Sequence, residues 1–143
     1  MKKLLFLVVA TVAFGVGLIL ATAPVFAHHS FIAEYDPHAP VTLKGTITKM
    51  EWVNPHGWLH IEVKGPDGKV VNWILEFGSP NTLYKRGWRK EDLPFGAEVT
   101  VSGFRAKDGS PAANADNVVL ADGKKLFAGS SGTGAPGGRE YEP

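Results

Sequence analysis

Short runs of alternating apolar and polar residues, separated by turn-forming residues, dominate residues 41–120 of this chain. Side chains of a strand point alternately to its two faces, so period-two alternation is typical of half-buried strands. Glycine, proline, asparagine and aspartate between the runs mark tight turns. The predicted strands begin at Val41, Trp58, Val70, Glu98 and Ala115, and a last short extension follows Asp122-Gly123. This pattern predicts an all-β fold.

The first of these runs changes its parity along the way. Leu43 and Ile47 occupy odd positions, whereas the later apolar residues Met50 and Trp52 occupy even ones. A slip of one residue moves every following side chain to the other face of the sheet. We therefore expect a β-bulge near Thr48-Lys49 that bends a long first strand.

One short helix is predicted between the third and fourth strands. Ser79 is a helix-capping residue, Pro80 suits the first helical position, and Gly87 ends the segment. Three strands, a short helix and two further strands is the order of an OB-type barrel. The sequence thus predicts an all-β fold with one short helix, arranged as a small five-stranded OB-like barrel. The same order also permits an open β-sandwich.

The apolar faces of the predicted strands define one core. Val71 and Phe77 are assigned to the inward face of the third strand, and Asn72, Ile74 and Glu76 to its opposite face. Six residues from the predicted strands are expected to meet at the centre: Ile47, Leu59, Ile61, Trp73, Leu75 and Val99.

The N-terminus has the layout of a secretory signal peptide. Lys2 and Lys3 precede an apolar run over residues 4–19, and compact side chains precede a cut after Ala27. A cut after Ala23 would leave Pro24 first, which signal peptidases handle poorly. Without cleavage, residues 4–26 could anchor the chain in a membrane. We expect a mature, periplasmic or secreted protein that begins with His28.

These boundaries divide the chain into three parts. Residues 1–27 are the predicted signal peptide, and residues 28–127 form an OB-like β domain whose residues 28–40 are an extended arm. Residues 128–143 are rich in Gly, Ser and Pro and are predicted to be a disordered tail. The mature chain keeps 116 of the 143 residues, which suits one domain. It has no remaining apolar stretch long enough to span a bilayer.

Composition excludes several classes of function. Loss of Lys2 and Lys3 leaves 13 of the 15 Lys and Arg against 14 Asp and Glu, a formal net charge of −1. Such a chain lacks the basic surface that nucleic acid requires. The absence of cysteine excludes disulfides, thiol catalysis and thiolate metal ligands.

All five histidines, among them the exposed His38 between two prolines, lie within residues 28–60. Imidazole is the commonest protein ligand for copper and zinc. An N-terminal histidine can chelate through its amine and its ring together, and a further imidazole completes a histidine brace. Tetragonal nitrogen coordination favours copper, with zinc as second choice. The candidate ligands are His28, His29, His56 and His60, and oxygen could come from Glu34, Asp36 or Glu76.

Each candidate ligand has a simpler interpretation. His28 and His29 could lie in a frayed terminus, His56 could be an ordinary turn residue, and His60 could face solvent. Glu76 could be a surface residue, or it could accept a hydrogen bond from a ligating histidine. An enzyme is the less favoured interpretation, because the sequence contains none of the common nucleophile or phosphate-binding motifs.

A metal-free alternative is a binding module. Aromatic side chains often wall ligand sites, and two of the four tryptophans, Trp52 and Trp58, flank the turn Asn54-Pro55-His56-Gly57. Core packing is the favoured use of Trp52. The candidate ligand-facing residues are Trp58, Glu76, Arg86 and Trp88, and the partner would be a peptide, a glycan or an envelope protein.

Several motifs resemble a family of small exported bacterial proteins classed as a domain of unknown function. The resemblance covers roughly residues 28–126. It implies export and a barrel-like β fold, but no established activity, so no catalytic residue is transferred from it. The residues that carry it are His28-His29-Ser30-Phe31, Glu34-Tyr35-Asp36, Gly45, Trp52-Val53-Asn54-Pro55-His56, Trp73, Glu76, Arg86-Gly87-Trp88 and Gly96 with Val99-Thr100-Val101-Ser102-Gly103.

Overall fold

A computed structural model describes residues 31–129 of the chain. Six strands and three short helical segments follow one another in this part. Their order is α1 (Phe31–Glu34), β1 (Tyr35–Glu51), β2 (Trp58–Lys64), β3 (Val70–Glu76), α2 (Pro80–Lys85), a 3-10 helix (Lys90–Asp92), β4 (Glu98–Ala106), β5 (Ala112–Leu120) and β6 (Lys125–Phe127). The prediction of a mostly β fold with a short helix is confirmed.

The long first strand takes part in two halves of the sheet. Residues 35–46 of β1 pair with β4, and residues 46–51 pair with β2, both antiparallel. The register with β2 shifts between Ile47 and Lys49, which confirms the predicted bulge. The extra residue lets β1 turn from one neighbour to the other, because a bulge bends its strand.

The strands form one sheet that closes into a ring. The sheet has the order β3-β2-β1-β4-β5-β6, and a parallel pairing of β3 with β5 joins the two sides. The described part is thus one ring-like sheet of six strands, one more than the five predicted, rather than two separate sheets. Gly103 sits at a tight point of the ring, where any Cβ would lie 2.1 Å from the Asn114 carbonyl oxygen. Only glycine fits there without moving the backbone.

Helix α2 begins as its sequence predicts. The Ser79 hydroxyl accepts a hydrogen bond from the Thr82 amide at 3.3 Å, and Pro80 occupies the first turn. Gly87 has a φ of +93°, a conformation that side chains with a Cβ rarely adopt. Leu83 anchors the helix in the core. The packing supplies the stability that a helix of this length lacks alone.

All six residues predicted for the core are buried together in one cluster. Phe77 and Trp88 are also fully buried in it. The assignment of Val71 is wrong, since it is 41% exposed. Its neighbour β5 pairs only with residues 74–76 of β3, so the sheet is open beside the first half of that strand.

The two ends of the described part differ from the sequence-based boundaries. The predicted extended arm contains the helical turn α1, and β1 begins at Tyr35 rather than Val41. At the other end Ala128 is fully buried, its amide donates to Asp116 and its carbonyl accepts from Gly78. Ala128 is therefore part of the fold and not of the tail. The predicted signal peptide and residues 130–143 lie outside the described residues.

Candidate functional site

The turn that carries His56 is fixed to the end of β3 by main-chain hydrogen bonds. The amide of Gly57 donates to the carbonyl of Gly78 at 3.1 Å, and the amide of Phe77 donates to the carbonyl of Gly57 at 2.8 Å. The peptide bond between Asn54 and Pro55 is cis. The two main-chain hydrogen bonds hold His56 beside Glu76, the last residue of β3.

Glu76 is buried although it lies on the outer face of the ring. It follows the core residue Leu75, so its side chain points away from the core, and it is only 7% exposed. The Tyr35 hydroxyl donates a 2.6 Å hydrogen bond to Oε2 of Glu76. Tyr35 itself is 6% exposed. The sequence left open whether Glu76 is a surface residue or part of a site. In the structure its carboxylate is enclosed by side chains from other elements.

The second oxygen of Glu76 faces the imidazole of His56. Nδ1 of His56 lies 3.1 Å from Oε1 of Glu76, and the two side chains are 15% and 8% exposed. The distance suits an ion pair, yet Nδ1 makes no hydrogen bond within residues 31–129. Oε1 therefore lies off the direction of the Nδ1–H bond. The contact is a close approach of two ligand-type atoms rather than a directed hydrogen bond.

Burial keeps the proton on the phenol of Tyr35, the side chain that donates to Glu76. It raises the pKa of Tyr35 well above its usual range, and the hydrogen bond to Glu76 adds to the effect. The phenol therefore keeps its proton over the physiological range and remains a donor. We call Tyr35, Glu76 and His56 the buried polar cluster.

The N-terminal turn α1 lies next to this cluster. Phe31 is 2% exposed and packs edge-on against Phe104 with ring centroids 5.5 Å apart. The Phe31 and Tyr35 rings are 5.8 Å apart. These residues lie outside the main core cluster and form an aromatic contact on the outer face of β4. The chain is therefore anchored from Phe31 onward, directly after the His28-His29-Ser30 segment.

A cleft of about 350 Å³ adjoins the same turn, beside Tyr35. Its walls come from α1, the end of β4 and the start of β5, with polar groups from Glu34, Lys107, Asp108 and Ser110. The main chain of Lys107 donates to the carbonyl of Glu34 at 2.9 Å, and this bond ties α1 to the end of β4. Sequence reasoning gave no role to Tyr35 or to this cleft.

His60 has a different set of partners. Its Nε2 lies 2.9 Å from Oε1 of Glu51, and the same oxygen lies 2.9 Å from Nζ of Lys49. These bonds, first that from Lys49 and then that from His60, hold the pKa of Glu51 below its usual value. His60 is therefore engaged at the bulge of β1 and does not join the buried polar cluster.

Two candidates for a ligand-binding face are used inside the fold. Trp88 is fully buried and its indole N–H donates to the carbonyl of Phe127 at 2.8 Å, so it has no surface to present to a ligand. The guanidinium of Arg86 lies 4.4 Å from the centre of the Phe127 ring and bonds the carbonyl of Gly129. Both side chains hold the C-terminal segment against α2.

The remaining aromatic candidates are partly exposed. Trp58 lies opposite Glu76 across β2 and β3, so their side chains share a face of the sheet. Trp52 packs partly against the core and stacks on Tyr84, with ring centroids 5.5 Å apart. Core packing for Trp52 agrees with the favoured interpretation.

No group of three or more potential metal ligands comes together within residues 31–129. His56 and Glu76 are a pair, and any further ligand must come from elsewhere. His28 and His29 lie outside the described residues. His38 is exposed, as its position between two prolines predicts.

Comparison with known proteins identifies a family. The model of DUF6152, a family of unknown function, matches residues 16–115, which takes in β1 to β4 and the start of β5. The match begins earlier and ends earlier than the motif resemblance over residues 28–126. No curated protein and no solved structure matches the chain. Within the described residues no helix is both long and apolar enough to cross a bilayer. The family model covers more than half of the length of this chain, and the chain therefore belongs to the family of unknown function DUF6152.

Proposed function

We propose that this chain is an exported protein of the cell envelope that binds a metal ion, copper first, through its N-terminal histidine. Export is supported by the basic, apolar and small-residue regions of residues 1–27. Cleavage after Ala27 would give His28 a free amine beside its imidazole. The mature protein would then act in the periplasm or outside the cell.

The observation that carries the proposal is the position of the buried polar cluster beside the N-terminal turn. The ring of Phe31 packs on Tyr35, whose hydroxyl bonds Glu76, which lies 3.1 Å from His56. His28 is three residues from Phe31, a span of at most about 11 Å of extended chain. Three residues therefore separate the expected new N-terminus from Phe31, which packs on the same cluster that contains the imidazole of His56.

The donor set suits copper. The amine and ring of His28 supply two nitrogen atoms, and His56 supplies a third. Tetragonal nitrogen coordination is the geometry that Cu(II) prefers, and zinc takes the same donors as second choice. Glu76 adds a carboxylate oxygen beside this donor set, with Oε1 3.1 Å from Nδ1 of His56. His29 is the alternative ligand at the N-terminus, whereas His60 is bonded to Glu51.

Calorimetric titration of copper into the mature chain, residues 28–143, tests this proposal. We expect one saturable site that is strongly weakened in His56→Ala, because that change removes a nitrogen ligand. His38→Ala is the matched control, since His38 is exposed in β1 and should leave binding unchanged. Equal binding by all three proteins, or no binding by the mature chain, would contradict the proposal.

A negative titration would favour the metal-free binding module. That alternative is weakened on one side of the fold, because Arg86 and Trp88 are engaged by the C-terminal segment. What remains available to it is the surface around the partly exposed Trp58.

A further inference from the structure

His56 and Glu76 together have the geometry of two ligands of one ion. Nδ1 of His56 is buried and has no hydrogen-bond partner within residues 31–129, although a carboxylate oxygen lies 3.1 Å away. A buried polar atom without a partner costs free energy unless something satisfies it. A cation between the two atoms would satisfy both.

We propose that Nδ1 of His56 and Oε1 of Glu76 both bind the ion directly, as copper or zinc ligands. This inference rests on the proposed function and specifies its second half. It differs from the arrangement in which Glu76 only orients the ring by accepting a hydrogen bond from Nδ1 while Nε2 binds the metal.

The separation of the two atoms fits this role. Nitrogen and oxygen ligands lie at roughly 2.0–2.2 Å from zinc or copper. Two such atoms 3.1 Å apart subtend an angle of about 100° at the ion. That value lies between the right angle of tetragonal coordination and the tetrahedral angle. The Nδ1–H direction, in contrast, does not point at Oε1.

Tyr35 acts as a positioning residue in this arrangement. Its hydroxyl donates to Oε2 at 2.6 Å, so it occupies the other oxygen of Glu76 and turns Oε1 toward His56. Outer partners of this kind fix the orientation of a ligating carboxylate. The same side chain contacts Phe31, so the turn that leads to His28 and the carboxylate are held by one residue.

The ring nitrogen that binds the ion can be read without any substitution. The mature chain with ¹⁵N-labelled histidine is titrated with Zn²⁺, which is diamagnetic, and long-range proton–nitrogen spectra are recorded. We expect the Nδ1 signal of His56 to move to the metal-bound range while Nε2 carries the proton. A proton on Nδ1 with a shifted Nε2, or no shift at His56, would overturn the proposal.

The carboxylate is tested by Glu76→Gln. Glutamine keeps an oxygen that accepts a hydrogen bond but loses the charge that makes carboxylate a strong ligand. Loss of an outer partner costs roughly 10–100-fold in metal affinity. We expect copper affinity to fall by more than about 100-fold, and a smaller loss would assign Glu76 to the outer role. Glu51→Gln, which changes the carboxylate beside His60, is the matched control and should leave affinity unchanged.

The two proposals fail in different ways. If His56→Ala loses copper while Glu76→Gln binds like the parent, the metal-binding function stands and the direct role of Glu76 is wrong. If the mature chain takes up neither copper nor zinc, both are wrong. Should Glu76→Gln not fold, the zinc titration of the parent chain decides alone.

Discussion

The hydroxyl of Tyr35 donates to the carboxylate of Glu76 across 41 residues of sequence, at 2.6 Å and out of contact with bulk water. This single bond connects the first strand to the end of the third on the outer face of the ring. Tyr35 directly follows the turn α1, and Glu76 lies beside the turn that carries His56. The bond therefore both stabilises the fold and fixes the position of the Glu76 carboxylate in the candidate site.

Removal of that hydroxyl should destabilise the protein. Tyr35→Phe keeps the ring contacts with Phe31 but leaves the buried Oε2 of Glu76 without its donor. Hydrogen bonds to charged groups contribute about 1.5–3 kcal/mol, and we expect a loss in that range in urea unfolding. Tyr84→Phe is the control, because it removes the same hydroxyl from a partly exposed tyrosine whose ring stacks on Trp52. Equal midpoints for both variants would show that the bond adds nothing.

The core assignment predicts a larger effect. Trp73→Ala removes a side chain that is 8% exposed and packs in the main cluster, so it should cost about 3–5 kcal/mol. Val71→Ala is a control from the same strand and the same parity, and it should change stability by less than about 0.5 kcal/mol because Val71 is exposed. Denaturant midpoints that move together would contradict the observed burial.

The regular parts of this fold follow from short-range patterns. The alternation of β2, the parity change at Ile47 and the Ser79-Pro80 cap each depend on residues close in sequence. The structure has the strand, the bulge and the helix cap that these three local patterns predict. The start of β1 was missed because Pro37 and Pro40 suggest a loop. The strand accommodates them in an irregular stretch, where β1 advances from Tyr35 to Pro40 while β4 moves only from Ala106 to Phe104.

The candidate site depends on contacts that no local pattern contains. The alternation correctly placed the side chain of Glu76 on the face of β3 that Leu75 does not occupy. The burial of Glu76, however, comes from Tyr35 and His56, which lie far away in sequence. Tyr35 had no periodic signal of its own. Trp88 was a candidate for a ligand-binding face, whereas the C-terminal segment covers it in the fold.

Stability should depend on pH through a half-buried acid in β5. Burial raises the pKa of Asp116 above its usual value and outweighs the hydrogen bond from Asn117. The fold then favours the protonated form. The contribution of Asp116 is complete below the unfolded-state pKa of about 3.9 and is lost as pH rises through the folded-state value.

Asp116→Asn should therefore be more stable than the parent at pH 7, and the difference should shrink toward pH 4. Asp108 provides a comparison of opposite sign, since hydrogen bonds from Ser110 lower its pKa. Its contribution is present above about pH 3.9 and lost as pH falls, so Asp108→Asn should be less stable at pH 7. Urea midpoints at both pH values measure the two trends, and parallel shifts would refute the assignment.

The proposed metal site needs a free amine on His28, which only cleavage after Ala27 would create. The intact mass of the exported protein should correspond to residues 28–143. A chain that starts at Pro24, or one that is not cleaved, would lack the chelating amine. Either mass would rule out a brace that uses His28.

The most direct test of metal binding through His28 is one added residue. A mature chain with a single alanine before His28 turns the amine into an amide and moves the free amine away from the imidazole. We expect calorimetry at pH 7.5 to show strong loss of copper affinity in the extended chain. Affinity of the parent should also fall from about pH 8 to 5, because imidazole and amine ligands must lose their protons to bind the metal, and the free groups have pKa values of roughly 6.5 and 7.7–8.0. Equal copper affinity in the parent and the extended chain would contradict the account.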